Sequence, residues 1–510
     1  MHPTPNTLVP AAVLADRSAG VVVASAAGDA LGAGYEFGPP LPPNAPVRPE
    51  GGGTFGWEPG EWTDDTQMAL AILTPLSDVT TTGAPLPSIE AGFRAWYASG
   101  PADVGNQTRA VLRSTGPLSE AAARYTAARP DGAAGNGSLM RTGPVALAHP
   151  GDPAAVATLA RAVSELTHPD PDCVDACVLW SVAIDHTIHH TSPSDTPWDW
   201  AAAVAQGVEH LPQDRRPRWQ TRIDEAAAGN PLDFPKNGWV VHALQAALAA
   251  ICSTPVPAGD RPADHLRLAL EHAVRAGGDT DTVAAIAGSL LGARWGATAL
   301  PFAWRRVLHG RRTYTEPALT VADLERLARL AVNGGRPGAH GWPGIGSLLP
   351  HYEQDWGDPP RRVTLGGVQF GNVHALADAL ADGVDAVISL CRMGTDDVPV
   401  PVEHHVLGLL DTTAEENPNL VFLLDDIVHG IPGDRPFRDG DIVSVDGGAE
   451  VGGWNGDAAF TMVLPDSARP GVAAARETLS AVTEQALWHG IAALAGAGIR
   501  REQEPRGRAG

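Results

Sequence analysis

Asp279 and Asp281 stand two residues apart in Gly277-Gly278-Asp279-Thr280-Asp281-Thr282. An apolar run follows at helical spacing: Val283, Ile286, Leu290 and Leu291. Asp and Thr favour helix N-termini, where free amides and the helix dipole accept negative charge. The pair reads either as an ordinary N-cap or as a carboxylate fork at the start of a buried helix. Far upstream, Trp62-Thr63-Asp64-Asp65-Thr66 has the same grammar and runs into Met68, Leu70 and Ile72. Two such forks face to face would combine their carboxylates with neighbouring hydroxyl oxygens. Hard divalent cations take an all-oxygen cage of that kind, so Mg²⁺ or Mn²⁺ suits it better than Zn²⁺. Unpaired carboxylates would repel one another, and a cation is the simplest way to hold them together.

Other stretches could assist. Gly28-Asp29-Ala30-Leu31-Gly32 leads to Glu36-Phe37. Its small residues allow either close helix packing or room for a ligand. Gly135-Asn136-Gly137-Ser138-Leu139-Met140-Arg141 could present backbone N–H groups and a helix N-terminus to phosphates, with Arg141 adding charge, or could be a plain loop. His168, beside Pro169 at a helix start, is either a ligand contact or surface. His186, His189 and His190 share a helix face, and without an adjoining acid pattern they read as solvated. Cys173 and Cys177 lack a second pair at zinc spacing and read as small buried hydrophobes.

The elements that must position these residues follow from periodicity. Val240, Val241, Leu244, Leu248 and Ile251 form one helix face, and Leu266, Leu270, Ala273 and Val274 another. Almost no convincing strand precedes residue 310, so the N-terminal domain is expected to be all-α. A Gly/Pro linker, Asn333 to Gly338, ends it. Beyond it, Val363–Val368, Val384–Leu390 and Val406–Leu410 read as strands and 373–381 as a helix, an α/β pattern. Residues 440–448 and 456–463 then read as a two-strand unit before a long helix near 470–495.

The chain has 510 residues with net charge −23, which argues against nucleic acid or an anionic membrane as the main partner. No run of ~18 apolar residues is evident, so no transmembrane helix is expected. Met1-His2-Pro3-Thr4-Pro5 has no basic n-region, so no signal peptide is expected. Four cysteines in this length suggest a reduced, cytoplasmic protein.

The four stretches Gly28–Phe37, Thr63–Thr66, Gly135–Arg141 and Gly278–Thr282, in that order, resemble the ADP-ribosylglycohydrolase family. The resemblance implies an all-α fold over residues 13–335 that holds two Mg²⁺ (or Mn²⁺) ions beneath an ADP-ribose cleft. It implies Thr63, Asp64, Asp65, Asp279, Asp281 and Thr282 as metal ligands. Glu36 would lie at the cleft mouth, and Asp64 or Asp65 would act as base. Gly135, Asn136, Gly137, Ser138, Met140 and Arg141 would touch the diphosphate and ribose, and His168 the distal part of the ligand. The implied activity is hydrolytic release of ADP-ribose from an ADP-ribosylated protein or small molecule.

Two further resemblances are partial. Residues 360–425 resemble the front of a dual-specificity-phosphatase-like α/β domain. They lack its His-Cys-x5-Arg loop: Cys391 is followed at once by Arg392, and Asp397 stands where the Arg would be. No phosphatase activity is expected. Residues 426–498 resemble part of a type I methionine aminopeptidase, an incomplete α+β unit of the pita-bread kind. There His429, Asp446 and Asp457 match the substrate histidine and the first two metal ligands. The later His and two Glu of that family are not found, so the set reads as vestigial, without peptidase activity. Residues 499–510 read as a disordered tail.

Overall fold

The computed structural model describes residues 9–463, except 82, 130–131, 192–196, 259–260, 357–358, 361, 366–367, 385, 390, 400–401, 407–418, 420–441 and 452–453. The chain divides into two compact units. One comprises Met1–Leu348, Ile388–Asp397 and His404–Asp426; the other comprises Leu349–Val387, Val398–Glu403 and Ile427–Gly510.

The first unit is helical, as its periodicity requires. Its helices begin with α1 (Ala11–Gly32), α2 (Asp64–Leu76), α3 (Leu86–Ala98), α4 (Asn106–Leu112) and α5 (Leu118–Ala127). Next come α6 (Pro153–Glu165), α7 (Pro171–His189), α8 (Trp200–Ala205) and α9 (Arg216–Ala228). The series ends with α10 (Val240–Ser253), α11 (Asp264–Arg275), α12 (Thr280–Trp295), α13 (Phe302–Val307) and α14 (Val321–Val332). A short antiparallel pair, β1 (His309–Gly310) and β2 (Leu319–Thr320), separates the last two helices. The faces expected on α10 and α11 are buried.

The centre of this unit is α1 against α12. Both are buried nearly all round, so neither needs a polar face. Small residues set their distance. A Cβ at Gly20 would strike the Gly292 carbonyl, one at Gly28 the Ala284 carbonyl, and one at Gly32 the backbone of Asp281. Close packing is thus one use of the Gly28–Gly32 motif. It also fixes the end of α1 against the first turn of α12, where Asp281 sits. Among the described residues, α1 alone is long and apolar enough by length and composition to cross a membrane, with mean hydropathy 1.3. Sequence reading expected no such run. Here the apolarity serves the core: Val21, Val23 and Leu31 are wholly buried.

The other unit contains α15 (Leu349–Trp356), α16 (Leu376–Ala381), and the antiparallel hairpin β3 (Arg362–Leu365) and β4 (Val368–Gly371). The single strand expected over 363–368 is therefore two, with Leu365 opposite Val368. A separate two-stranded sheet pairs β5 (Ala386–Ser389) with β6 (Glu403–Val406). The strand expected over 406–410 thus begins earlier, and residues 407–410 lie outside the described residues. The expected 360–425 segment divides between the units. β7 (Ile442–Val451) and β8 (Trp454–Val463) form the hairpin read from sequence. The helix near 470–495, the 499–510 tail and His429 lie outside the described residues.

Candidate active site

Two helix N-termini carry the acids. Thr63 is the N-cap of α2, with Asp64 and Asp65 in its first turn. Asp279 is the N-cap of α12, with Asp281 in its first turn. The forks meet: Thr282 Oγ1 donates to Asp65 Oδ2 at 3.4 Å. Glu36 joins them, because its carboxylate and those of Asp279 and Asp281 can place oxygens within 4.8 Å of one another. All six expected metal-ligand residues thus lie at one place, with Glu36 beside them.

The cluster is electrostatically incomplete. Burial, and then the neighbouring acids, push Asp64, Asp65 and Asp281 well above the usual carboxylate range. Burial and the charges of Asp279, Asp103 and Asp29 push Glu36 to about 8. Burial raises Asp279 too, although hydrogen bonds from Asn136 and Thr282 oppose the shift. A helix N-terminus stabilises a carboxylate by about 0.3–1 kcal/mol. Two unit charges 4 Å apart repel by about 4 kcal/mol at an effective dielectric of ~20. Helix ends alone therefore cannot hold this set ionised. Among the described residues, no Lys or Arg forms an ion pair with Asp64, Asp65, Asp279 or Asp281. Thr63 Oγ1, Asp65 Oδ1 and Glu36 Oε2 are buried without a hydrogen-bond partner. Orphaned hard oxygens around crowded carboxylates fit a divalent cation of the Mg²⁺ or Mn²⁺ kind.

Asp29 holds the α2 fork in place. Wholly buried, it accepts from the Thr63 and Thr66 amides at 3.0 Å and from Thr66 Oγ1 at 2.6 Å. It thus caps α2 from another helix, satisfying amides that α2 leaves open. Burial still lifts Asp29 to about 6 against these bonds. In the sequence Asp29 is one member of the Gly28–Gly32 stretch, with no role of its own to read. A capping acid supplied by another helix carries no local signature. Asp103 was missed entirely. Half-buried in the loop before α4, it lies close enough for its charge to act on Asp64, Glu36 and Asp279. Phe37 beside Glu36 is 65% exposed and has φ 60°, in the left-handed region. Its amide donates to the Gly278 carbonyl at 2.7 Å.

The glycine loop abuts the α12 fork through Asn136, whose Nδ2 donates to Asp279 Oδ2 at 2.7 Å. Of the two readings of this stretch, the helix start is not found: no α-helix begins after it, and turns lead instead into a short 3-10 segment, Gly143–Leu147. The amides of Asn136, Leu139 and Met140 bond within the loop or to Gly238. Those of Gly137 and Ser138 have no partner among the described residues. The Ser138 side chain is buried and accepts from Ser164 Oγ. Met140 is buried as well, and Gly135 and Gly137 are half-buried.

Arg141 does not offer its charge at the surface. Its guanidinium is wholly buried over the Phe93 ring and donates to Thr167 Oγ1 and Met68 Sδ. Desolvation lowers its pKa to about 10. The bond has a consequence for His168. Thr167 Oγ1 accepts from Arg141 and lies 2.8 Å from His168 Nδ1. A Thr167 hydroxyl that donates to Nδ1 leaves the His168 proton on Nε2. His168 is buried, and its ring edge lies under Gly135 and Gly137. It is therefore not surface. Burial, then the Arg141 charge, lowers its pKa to about 3.

The remaining candidates are elsewhere. Cys173 and Cys177 are buried on α7, as expected of small hydrophobes. The histidine face is less solvated than expected. His186 stacks on His190 at 4.0 Å, and His189 Nδ1 lies 3.2 Å from an Asp185 oxygen. Asp397 accepts from the amides of Leu348 and Gly394, and so closes a turn. On the β7–β8 hairpin, Asp446 lies opposite Ala459 and Asp457 opposite Gly448. The two aspartates are thus two ladder positions apart.

Comparison with known proteins gives two family matches. Residues 10–337 match the ADP-ribosylglycohydrolase family model, and residues 422–503 match that of metallopeptidase family M24. The ADP-ribosyl-(dinitrogen reductase) glycohydrolase of Rhodospirillum rubrum is 30% identical over 293 residues, covering 57% of this chain and 89% of that protein. The ADP-ribosylarginine hydrolase Tri1 of Serratia proteamaculans (strain 568) is 28% identical over 315 residues, covering 59% and 77%. Methionine aminopeptidase 1 of Bacillus subtilis (strain 168) is 39% identical over 67 residues, covering 13% of this chain and 25% of that enzyme.

Proposed function

The chain belongs to the ADP-ribosylglycohydrolase family over residues 10–337, and from that premise we propose that it hydrolyses the bond between ADP-ribose and an arginine side chain. The observation that carries the site is the pair of helix-start forks, joined at Thr282 and Asp65, with orphaned oxygens on Thr63, Asp65 and Glu36. Thr63, Asp64, Asp65, Asp279, Asp281 and Thr282 would hold two Mg²⁺ or Mn²⁺ ions. Bound there, the ions would supply Lewis acidity and an anchor for a ribose diol.

The chain's own groups would do the rest. A carboxylate oxygen of Asp64 or Asp65 not engaged by a cation would take a proton from the attacking water. The Gly137 and Ser138 amides would receive the diphosphate, and His168 Nε2–H, beneath them, would donate toward the same ligand. Arg141 would act at one remove, by orienting His168 through Thr167. An arginine acceptor is supported by the Serratia relative, an ADP-ribosylarginine hydrolase by name. It is supported also by Glu36 and Asp103, since adjacent carboxylates suit a guanidinium better than a neutral hydroxyl. The natural substrate would be an ADP-ribosylated protein or small molecule. A cytoplasmic setting suits the buried thiols of Cys173 and Cys177.

The test is release of free ADP-ribose from ADP-ribosyl-arginine and from ADP-ribosyl-serine, with Mg²⁺ and with EDTA. Metal-dependent release from the arginine substrate alone is expected. Preference for the serine substrate would overturn the acceptor assignment. ADP-ribose binding with no release from either substrate would make the domain a binding module.

A further inference from the structure

We infer that Asn237 is a positioning residue that sets both the α12 fork and the glycine loop, acting through Asp279 and Asn136. The inference rests on the function proposed above, and it concerns a residue outside the six proposed cation ligands that bonds to one of them, Asp279, through its backbone amide.

Asn237 lies just before α10 and is 5% exposed. Its carboxamide spans the turn that leads into α12. Nδ2 donates to the Gly277 carbonyl at 2.9 Å, and Oδ1 accepts from the Asp279 amide at 3.0 Å. One partner only accepts and the other only donates, so the orientation of the carboxamide is fixed by its neighbours. The amide it satisfies is the N-cap N–H of α12, one of the donors a helix cannot satisfy itself. The backbone of the same residue serves the loop. Its carbonyl accepts one Asn136 Nδ2 hydrogen at 3.0 Å, while the other reaches Asp279 Oδ2 at 2.7 Å. The strap continues on either side: Gly238 O accepts from Asn136 N, and Val240 N donates to Ala134 O. One short segment is thereby bonded to the phosphate-facing loop and to the cation-facing helix start.

The turn needs such a clamp. Gly277 and Gly278 both have φ +75°, the left-handed region, and consecutive glycines hold a conformation weakly by themselves. A Cβ at Gly278 would come within 2.5 Å of Asn237 Oδ1. Carboxamide and glycine therefore fit one another, and Asp279 takes its place from that fit. Groups that orient metal ligands from outside change metal affinity or activity by about 10–100-fold when removed.

The experiment is Mn²⁺ titration of the full chain by EPR, without nucleotide, beside steady-state hydrolysis of ADP-ribosyl-arginine and thermal unfolding in EDTA. Asn237→Ala is expected to remain folded, to bind Mn²⁺ about 10–100-fold more weakly, and to lose kcat by more than KM rises. Gly278→Ala, which displaces the carboxamide instead of deleting it, is expected to weaken Mn²⁺ binding in the same direction. The double variant is expected to be weaker than either by less than the product of the two effects, because both act on one contact. If Asn237→Ala does not fold, Asn237→Ser is read in the same titration. Folded variants with wild-type Mn²⁺ affinity overturn the inference and leave the functional reading standing. A merely structural residue would give that result, with a lowered Tm alone. A wild-type chain that neither binds Mn²⁺ nor releases ADP-ribose overturns the functional reading first.

Discussion

Two regions of this chain carry aspartates that resemble metal ligands, and they are built differently. In the helical unit, Asp64, Asp65, Asp279 and Asp281 begin buried helices, and other residues fix them from outside. Asp29 caps α2, Asn136 and Asn237 hold the turn before α12, and Gly32 lets α1 lie directly on Asp281. On the β7–β8 hairpin, Asp446 and Asp457 are placed by the ladder register, two positions apart. The curated relatives show the same contrast. The helical region spans 89% of the Rhodospirillum enzyme, whereas the hairpin region spans 25% of the Bacillus aminopeptidase. Two acids at suitable spacing make a motif; a site needs the surrounding groups that remove their freedom.

The largest expected effect separates the two regions directly. Asp279→Asn should lower ADP-ribose release by more than ~100-fold, beyond the range typical of outer partners. Asp446→Asn and Asp457→Asn should leave it within about twofold, as expected of changes outside a site. The same preparations, given a Met-peptide with Co²⁺ or Mn²⁺, should release no methionine. Methionine release abolished by Asp446→Asn would break the comparison. Cation binding sharpens it. Mn²⁺ at 100 times its dissociation constant should add about 2.7 kcal/mol to the stability of the folded state. Thermal or urea unfolding with and without EDTA should show that increment in wild type and in Asp446→Asn, and lose it in Asp281→Asn.

The contrast also sorts what sequence could disclose. The forks were legible because they combine two local signals, acids at a cap position and an apolar run behind them. The helix faces of α10 and α11 were legible for the same reason. Asp29, Asn237 and Asp103 were not, because each acts on residues distant in sequence: Asn237 lies 42 positions from Asp279. Arg141 was misplaced for a related reason. A cation beside a glycine loop suggests a phosphate contact, and nothing local shows that Phe93, Met68 and Thr167 enclose it.

A smaller effect concerns the supports rather than the ligands. Asp29→Ala removes the acceptor for the Thr63 and Thr66 amides, all of them buried. Leaving such donors unpaired costs about 1–3 kcal/mol, and losing a cap about 0.5–2. Urea unfolding in EDTA should therefore show about 2–3 kcal/mol of destabilisation. Gly32→Ala should cost about 1–3 kcal/mol by overpacking α1 on Asp281. If either variant matched wild type in stability, the helical region would owe its geometry to something other than these contacts.

The smallest effect is a pH dependence at the loop's edge. His168 is held neutral, with its pKa lowered from 6.5 to about 3 by burial and, next, by Arg141. The unfolded chain therefore binds a proton near pH 6.5 that the folded chain does not take until near pH 3. Stability from this residue is complete above pH 6.5 and is lost progressively as pH falls toward 3. One unit below 6.5 the loss should be about 1.4 kcal/mol. The carboxylates of the cluster, with raised pKa values, act in the opposite direction over part of the same range, so wild type alone would mislead. The comparison that isolates His168 is wild type against His168→Gln, each unfolded in urea at pH 7.5 and at pH 5.5. Wild type should lose about 1.4 kcal/mol more than the variant on acidification. Equal losses would mean that His168 takes up its proton in the folded state. The Arg141–Thr167–His168 relay would then not be what holds the imidazole under the glycine loop.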